Sequence, residues 1–172
     1  YSYGSREINF EQRFEEIRDI QLLVLDDLGT QIATPWAEEK LYQILNYRYV
    51  HHLPTIITSN QDLFEIEGRM RSRLQDPDLV SIIRISAPDY RSSIREDRHT
   101  ISTLELLSDC TFGTFNLRDD EKLAPDQKRS LHAAFNAANE FAENPRGWLV
   151  LAGSYGCGKT HLAAAIGNYR TG

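Results

Sequence analysis

Apolar and polar positions change their spacing several times along the 172-residue chain, and each change predicts an element. Phe10, Phe14 and Ile17 recur at helical intervals with charges between them, the pattern of a short amphipathic helix. The run Gln21 to Asp27, QLLVLDD, is continuously apolar until it closes on two carboxylates. Such a run predicts a buried strand in a parallel sheet covered on both faces. Thr34-Pro35 opens a helix, with Thr34 as its cap and Pro35 in its first turn. That helix should reach about Val50 and offer Trp36, Leu41, Ile44, Leu45 and Tyr49 to the core. Pro54 to Ser59, PTIITS, predicts a second strand, tipped by Asn60. EIEGRMRSRLQDPDL predicts a charged helix carrying Arg69, Arg71 and Arg73, and Ser81 to Ser86, SIIRIS, a third strand. Past Pro88 the chain turns polar, and 91–100 reads as an end or a linker.

The pattern then restarts. CTFGTFNL, from Cys110, is a short aromatic segment. Ala124-Pro125-Asp126 opens a helix whose apolar positions are Leu131, Ala134, Phe135, Ala138, Phe141 and Ala142, and Asn144-Pro145 ends it. Trp148 to Ala152 predicts a fourth strand, and a helix from Lys159 places Leu162, Ala165, Ile166 and Tyr169 on one stripe. Strands alternating with helices predict an α/β fold, with a parallel sheet between two helical layers and a ligand at the carboxyl ends of the strands.

Composition narrows the setting. The length suits one domain with a full core, and 41% hydrophobic and 26% charged residues are ordinary for a globular chain. No apolar run is long enough to cross a bilayer, and the first residues do not resemble a secretory leader. Cys110 and Cys157 form neither a disulfide framework nor a metal-ligand cluster, so a cytoplasmic protein is expected. A formal net charge of -6 argues against coating nucleic acid by bulk electrostatics, while Arg69, Arg71 and Arg91 leave room for a local, salt-sensitive contact with single-stranded DNA.

The sharpest chemistry lies near the carboxyl end. Gly153, Ser154, Tyr155, Gly156, Cys157, Gly158, Lys159 and Thr160 fit the pattern G-x-x-x-x-G-K-[ST] of a phosphate-binding loop, between an apolar strand and an apolar-striped helix. Glycines let the backbone wrap closely and aim N–H groups at phosphate oxygens, and the helix points its positive end at the same anion. Lys159 would reach the β- and γ-phosphates and the Thr160 hydroxyl would bind magnesium, with His161 beside them on the first helical turn. A Gly-rich turn with an incidental lysine is the plain alternative. Cys157 reads as a small residue at a variable position rather than a reactive thiol.

LLVLDD has the form of a Walker B strand. Asp26 would hold magnesium, mostly through water, and Asp27 would orient or deprotonate the attacking water. Two acids at a strand end also suit a solvated turn or a helix cap. Asn60, at the tip of TIITSN, fits a sensor of the γ-phosphate or, more plainly, a turn. RMRSRL supplies candidate arginine fingers, with Arg73 reaching across a subunit interface, although a surface arginine is usually only solvated.

These parts stand in inverted order. Read as 101–172 followed by 1–100, the chain resembles the AAA+ ATPases, and more closely the DnaC/DnaI-type replicative-helicase loaders and the related IstB-type transposition helper ATPases. The resemblance rests on TFGTFNL, GWLVLAGSYGCGKTHLAAAIGNYR, LLVLDDLGTQIATPWAEEKLYQILNYRY, LPTIITSN and RMRSRL, and covers nearly the whole chain. It implies a three-layer P-loop NTPase with an AAA+ core in one domain, binding ATP and Mg2+ and hydrolysing ATP slowly under stimulation by a partner or DNA. It further implies a replicative DNA helicase as partner and self-association through the ATPase site.

The chain departs from the family in several ways. The inversion suits a circular permutation, an engineered chain, or pieces numbered out of order, and the last is preferred. A strand–helix unit of roughly 20–30 residues is expected between Gly172 and Tyr1, without which one sheet edge would be bare. Many relatives carry glutamate where Asp27 stands, so hydrolysis is expected to be slow. No small helical lid follows Asp89-Tyr90-Arg91, as in the loaders. Three rival readings are a transposition helper, a nucleotide-gated binding module with little turnover, and a small-molecule phosphotransferase; Asn60 and the arginine segment weaken the last.

Overall fold

The central strands are buried almost throughout, and successive side chains enter opposite clusters, which decides the layering. In the computed structural model, which describes residues 3–29, 34–66, 68–90 and 107–171, Ile56, Leu149 and Leu151 face one hydrophobic cluster and Ile57 and Val150 face another. Both sides of the sheet are therefore covered, as parallel strands require. Each fully buried aliphatic side chain contributes roughly 1.5–3 kcal/mol to folding.

The strands are β1 (Leu23–Leu25), β2 (Thr55–Ser59), β3 (Val80–Ile85) and β4 (Trp148–Gly153). They pair in the order β1-β2-β4-β3, all parallel. β4 thus lies between two strands from the first half of the chain, with Thr55 opposite Trp148 and Ser59 opposite Ala152. The helices are α1 (Tyr3–Asp19), α2 (Pro35–Val50), α3 (Gly68–Leu74), α4 (Pro125–Glu143) and α5 (Lys159–Thr171). Leu131, Ala134, Ala138, Phe141 and Ala142 of α4 and Leu162, Ala163 and Ile166 of α5 fill one cluster. Leu45 of α2, Met70 and Leu74 of α3, and Leu63 of a short 3-10 turn fill the other.

Most predicted elements stand where the pattern put them. Thr34 Oγ1 accepts the Ala37 amide at 3.2 Å and Pro35 occupies the first turn, as the capping signal requires. Four expectations need correction. The strand expected over Gln21–Asp27 is only Leu23–Leu25, and it is the edge strand, so Val24 is exposed rather than buried on both faces. Trp36 and Tyr169 are exposed, each meeting an aromatic ring at its edge of the fold: Trp36 the Phe10 ring, at 5.3 Å, and Tyr169 the Phe112 ring, at 6.2 Å. Phe10 and Ile17 are exposed too, since α1 packs mainly on α2. The charged helix is the seven-residue α3, shorter than its sequence pattern suggested. The polar stretch 91–100, with Arg91, lies outside the described residues, as do the expected missing lid and the expected segment between Gly172 and Tyr1.

One buried charge was not foreseen. Arg48, with 0% exposure, donates to the carbonyls of Arg18 (2.8 Å), Ile20 (2.8 Å) and Pro54 (2.7 Å) and to Thr55 Oγ1 (3.0 Å). Burial pushes its guanidinium down to about 10, so it remains charged at neutral pH. It joins the end of α1 to the start of β2.

Candidate functional site

Parallel pairing sends the carboxyl ends of β1, β2 and β4 to one edge of the sheet. Asp26 and Asp27 follow β1, Asn60 follows β2, and the Gly153–Thr160 loop runs from β4 into α5. Residues from opposite ends of the sequence thereby meet.

The meeting is made by hydrogen bonds. Thr160 Oγ1 donates to Asp26 Oδ1 at 3.0 Å. The buried Thr58 hydroxyl donates to the same Asp26 oxygen and accepts the Asp27 amide at 2.9 Å. Asn60 Nδ2 donates to Asp27 Oδ1 at 2.6 Å. Asp27 has a left-handed backbone (φ 58), a conformation that aspartate tolerates better than most residues and that is found disproportionately at functional sites. Thr58 was missed by the sequence reading. Its only signal was a hydroxyl near the end of a central strand, and Thr55 and Ser59 of the same strand carry one too.

Close approaches shape the loop; a Cβ on Gly153 would run into the Ile85 carbonyl oxygen. Gly158 has φ +105, and a Cβ there would come within 2.8 Å of the Phe115 ring. Gly156 has φ +68, a backbone that strains any other residue, and a Cβ there would run into the Asp89 carboxylate. Positive φ favours glycine at both positions. Lys159 is 4% exposed and folds back over the loop, donating to the carbonyls of Gly153 (3.1 Å) and Ser154 (2.7 Å). Cys157 is buried beside it, and burial pushes its thiol up, so it is a packing residue. Tyr155 is exposed, and Ser154 Oγ donates to Ala87 O at 3.4 Å. His161 Nε2 lies 2.9 Å from Thr111 O, with its ring edge-on to Phe115 at 5.3 Å between centroids.

Arg73 belongs to a different set of contacts. Its Nε donates to Asn46 Oδ1 at 3.0 Å, its Nη2 to Tyr42 Oη at 2.9 Å and its Nη1 to Arg69 O at 2.7 Å. Its guanidinium also lies over the Tyr42 ring, 4.9 Å from the centroid. Arg69 pairs with Glu39 at 3.3 Å and Arg71 donates to Phe64 O at 2.8 Å. All three arginines thus brace α3 and its neighbours.

The donor set suits an anion with a hard cation. A 13-residue helix presents the equivalent of about +0.5 charge at its amino end, where the loop amides also lie. Among the described residues no three His, Cys, Asp or Glu side chains could hold a metal together. One carboxylate and one hydroxyl, Asp26 and Thr160, fit magnesium, which keeps several waters and takes further oxygens from a phosphate.

No family model matches the sequence, and no solved structure matches it. Several curated proteins match in part. The chain is 34% identical over 116 residues to the replicative helicase loader DnaC of Buchnera aphidicola subsp. Schizaphis graminum, covering 64% of this chain and 40% of that protein. It is 38% identical over 65 residues to the DnaC loader of Buchnera aphidicola subsp. Acyrthosiphon pisum, covering 38% of this chain and 24% of that one. It is 33% identical over 86 residues to the uncharacterized protein YqaM of Bacillus subtilis, covering 44% and 28%. These matches span between 24% and 40% of the relatives' own lengths. No described helix is long and apolar enough to cross a membrane. The chain is an α/β protein with a parallel sheet, similar in part to DnaC-type loaders.

Proposed function

We propose that the chain is a P-loop NTPase of the AAA+ kind that binds ATP with Mg2+ and acts in the cytoplasm as a replicative-helicase loader. The Thr160–Asp26 hydrogen bond carries the reading, because it puts the hydroxyl and the carboxylate expected to share a magnesium ion on one oxygen-lined spot at the foot of the loop. Partial likeness to two proteins named replicative helicase loaders supports the partner class.

The chain's own residues divide the work. Loop amides and the start of α5 bind the phosphates. Lys159 exchanges its carbonyl partners for phosphate oxygens, a stronger charge-assisted bond. Magnesium, when bound, neutralises charge on the phosphates. Asp26 and Thr160 hold that position, and Thr58 fixes the Asp26 rotamer. Asp27 accepts the proton of the attacking water, and Asn60 orients its carboxylate. Arg73 serves a neighbouring site only if it leaves Asn46 and Tyr42, so self-association and release of α3 from α2 are linked. Single-stranded DNA is a second ligand, met locally by arginines.

One observation favours a second reading, a nucleotide-gated module with little turnover: Asp27 Oδ1 is already engaged by Asn60. Titration with fluorescent ATP separates the outcomes. Binding that requires Mg2+ and vanishes in Lys159→Ala supports the site. Turnover that rises with added replicative helicase supports the loader, binding without turnover supports the switch, and no binding ends both.

A further inference from the structure

Two separate segments, a short turn at Thr111–Phe115 and the stretch Ala87–Tyr90, hold the Gly153–Thr160 loop. On one side Phe115 closes over Gly158, and His161 is held by Thr111 of the same segment. On the other side the stretch Ala87–Tyr90, which leaves β3, crosses the loop as a strap. The Tyr90 amide donates to Gly156 O at 3.0 Å, Ser154 Oγ reaches Ala87 O, and the Asp89 carboxylate abuts Gly156.

Arg118 ties the strap to the turn. It is 5% exposed and has a left-handed backbone (φ 60), an unfavourable state for arginine that the surroundings must enforce. Its Nη1 donates to Pro88 O at 2.6 Å, and its guanidinium lies 5.6 Å from the Tyr90 ring centroid. Nε and Nη2 both donate to Glu121 Oε2, at 2.9 and 2.7 Å. The Arg118 amide is itself held by Asn116 Oδ1 at 2.7 Å. Glu121, Arg118, Pro88–Tyr90 and Gly156 form one continuous chain of contacts.

We propose that Arg118 is a positioning residue for nucleotide binding: through the strap it fixes the Gly156 side of the loop in the shape that receives phosphate. The assignment rests on the nucleotide reading of that loop. A fork-shaped guanidinium can hold a carboxylate and a carbonyl at once, whereas lysine can replace the charge but not the fork. Arg118 bonds Glu121 and the strap carbonyl of Pro88. Its effect passes through backbone that the loop needs for preorganisation.

The test compares fluorescent-ATP affinity and amide hydrogen exchange at Tyr90 and 153–158 in the wild type, Lys159→Ala, Arg118→Ala, Arg118→Lys and Glu121→Gln. Arg118→Ala should weaken ATP about tenfold, the worth of one charged hydrogen bond, and speed exchange at Tyr90. Arg118→Lys should recover part of both, and Glu121→Gln should loosen both less than Arg118→Ala. If Arg118→Ala lowers the melting temperature while affinity and Tyr90 exchange stay at wild-type values, the clamp is structural only and the proposal falls. If wild type binds ATP no better than Lys159→Ala, the nucleotide reading falls and takes the proposal with it, even if Tyr90 exchange responds.

Discussion

Thr160 Oγ1 donates to Asp26 Oδ1 at 3.0 Å, a bond between residues 134 positions apart. Neither side chain defines a cation site alone. Asp26→Asn keeps the hydrogen-bonding outline and removes the charge. We expect Mg2+-dependent ATP affinity to fall on the order of tenfold, with Mg2+-free affinity unchanged, as removal of one charge-assisted contact predicts. Calorimetric titration with and without the metal checks this.

Asp27→Asn isolates chemistry from binding. Asparagine tolerates the left-handed backbone at φ 58, so the strand end should persist. Turnover should drop by about 10²–10⁴, the usual contribution of a positioned base, while ATP affinity stays within a few-fold. Asn60→Ala should move turnover the same way by a smaller factor, because Asp27 keeps its charge. Steady-state phosphate release measures both.

Arg73→Ala separates a structural from a shared-site role. Losing the bonds to Asn46 and Tyr42 should cost about 1 kcal/mol of stability, seen as an earlier urea midpoint with unchanged slope. If Arg73 also serves a neighbour, wild-type specific activity rises with protein concentration and the variant's does not. A concentration-independent rate in both reduces Arg73 to the α2–α3 contact.

Arg48→Met tests the buried guanidinium. The variant leaves the carbonyls of Arg18, Ile20 and Pro54 without their donor, each loss costing about 1–3 kcal/mol if the group stays dry. Thermal melts should show a large drop, and Arg48→Lys should recover only part of it because an ammonium cannot span the same acceptors.

Glu121 sets a pH dependence. The Arg118 hydrogen bond holds its carboxyl below the ordinary glutamate value of 4.5. A depressed folded value means that the pair's stabilisation is fully present above about 4.5 and fades as pH falls through the folded value. Melting curves from neutral to acid pH should show a decline in the wild type that is smaller in Glu121→Gln.

The local signals were strong where one segment decides its own structure. Thr34-Pro35 capped a helix, TIITS and WLVLAG became strands, and GSYGCGKT ran from strand to helix, because capping, β-branching and glycine act within a few residues. Burial was harder to read. Trp36, Phe10 and Val24 carry apolar side chains, yet whether a neighbour covers them depends on strand order, and β1 lies at the sheet edge. Arg48 was invisible for the opposite reason, since its acceptors are carbonyls that no sequence pattern marks.

The sequence by itself determined the residue types of the site: glycines for close backbone approach, Lys159, Thr160, paired carboxylates at a strand end, and Asn60 at the next. Only the tertiary structure decided that they meet. β4 inserts between β2 and β3, and parallel register carries Asp26 to Thr160 and Asn60 to Asp27. The same long-range packing put Thr58 under both acids and Arg118 on the strap, because a side chain's partners are set by which strands share an edge, and chain order does not reveal that.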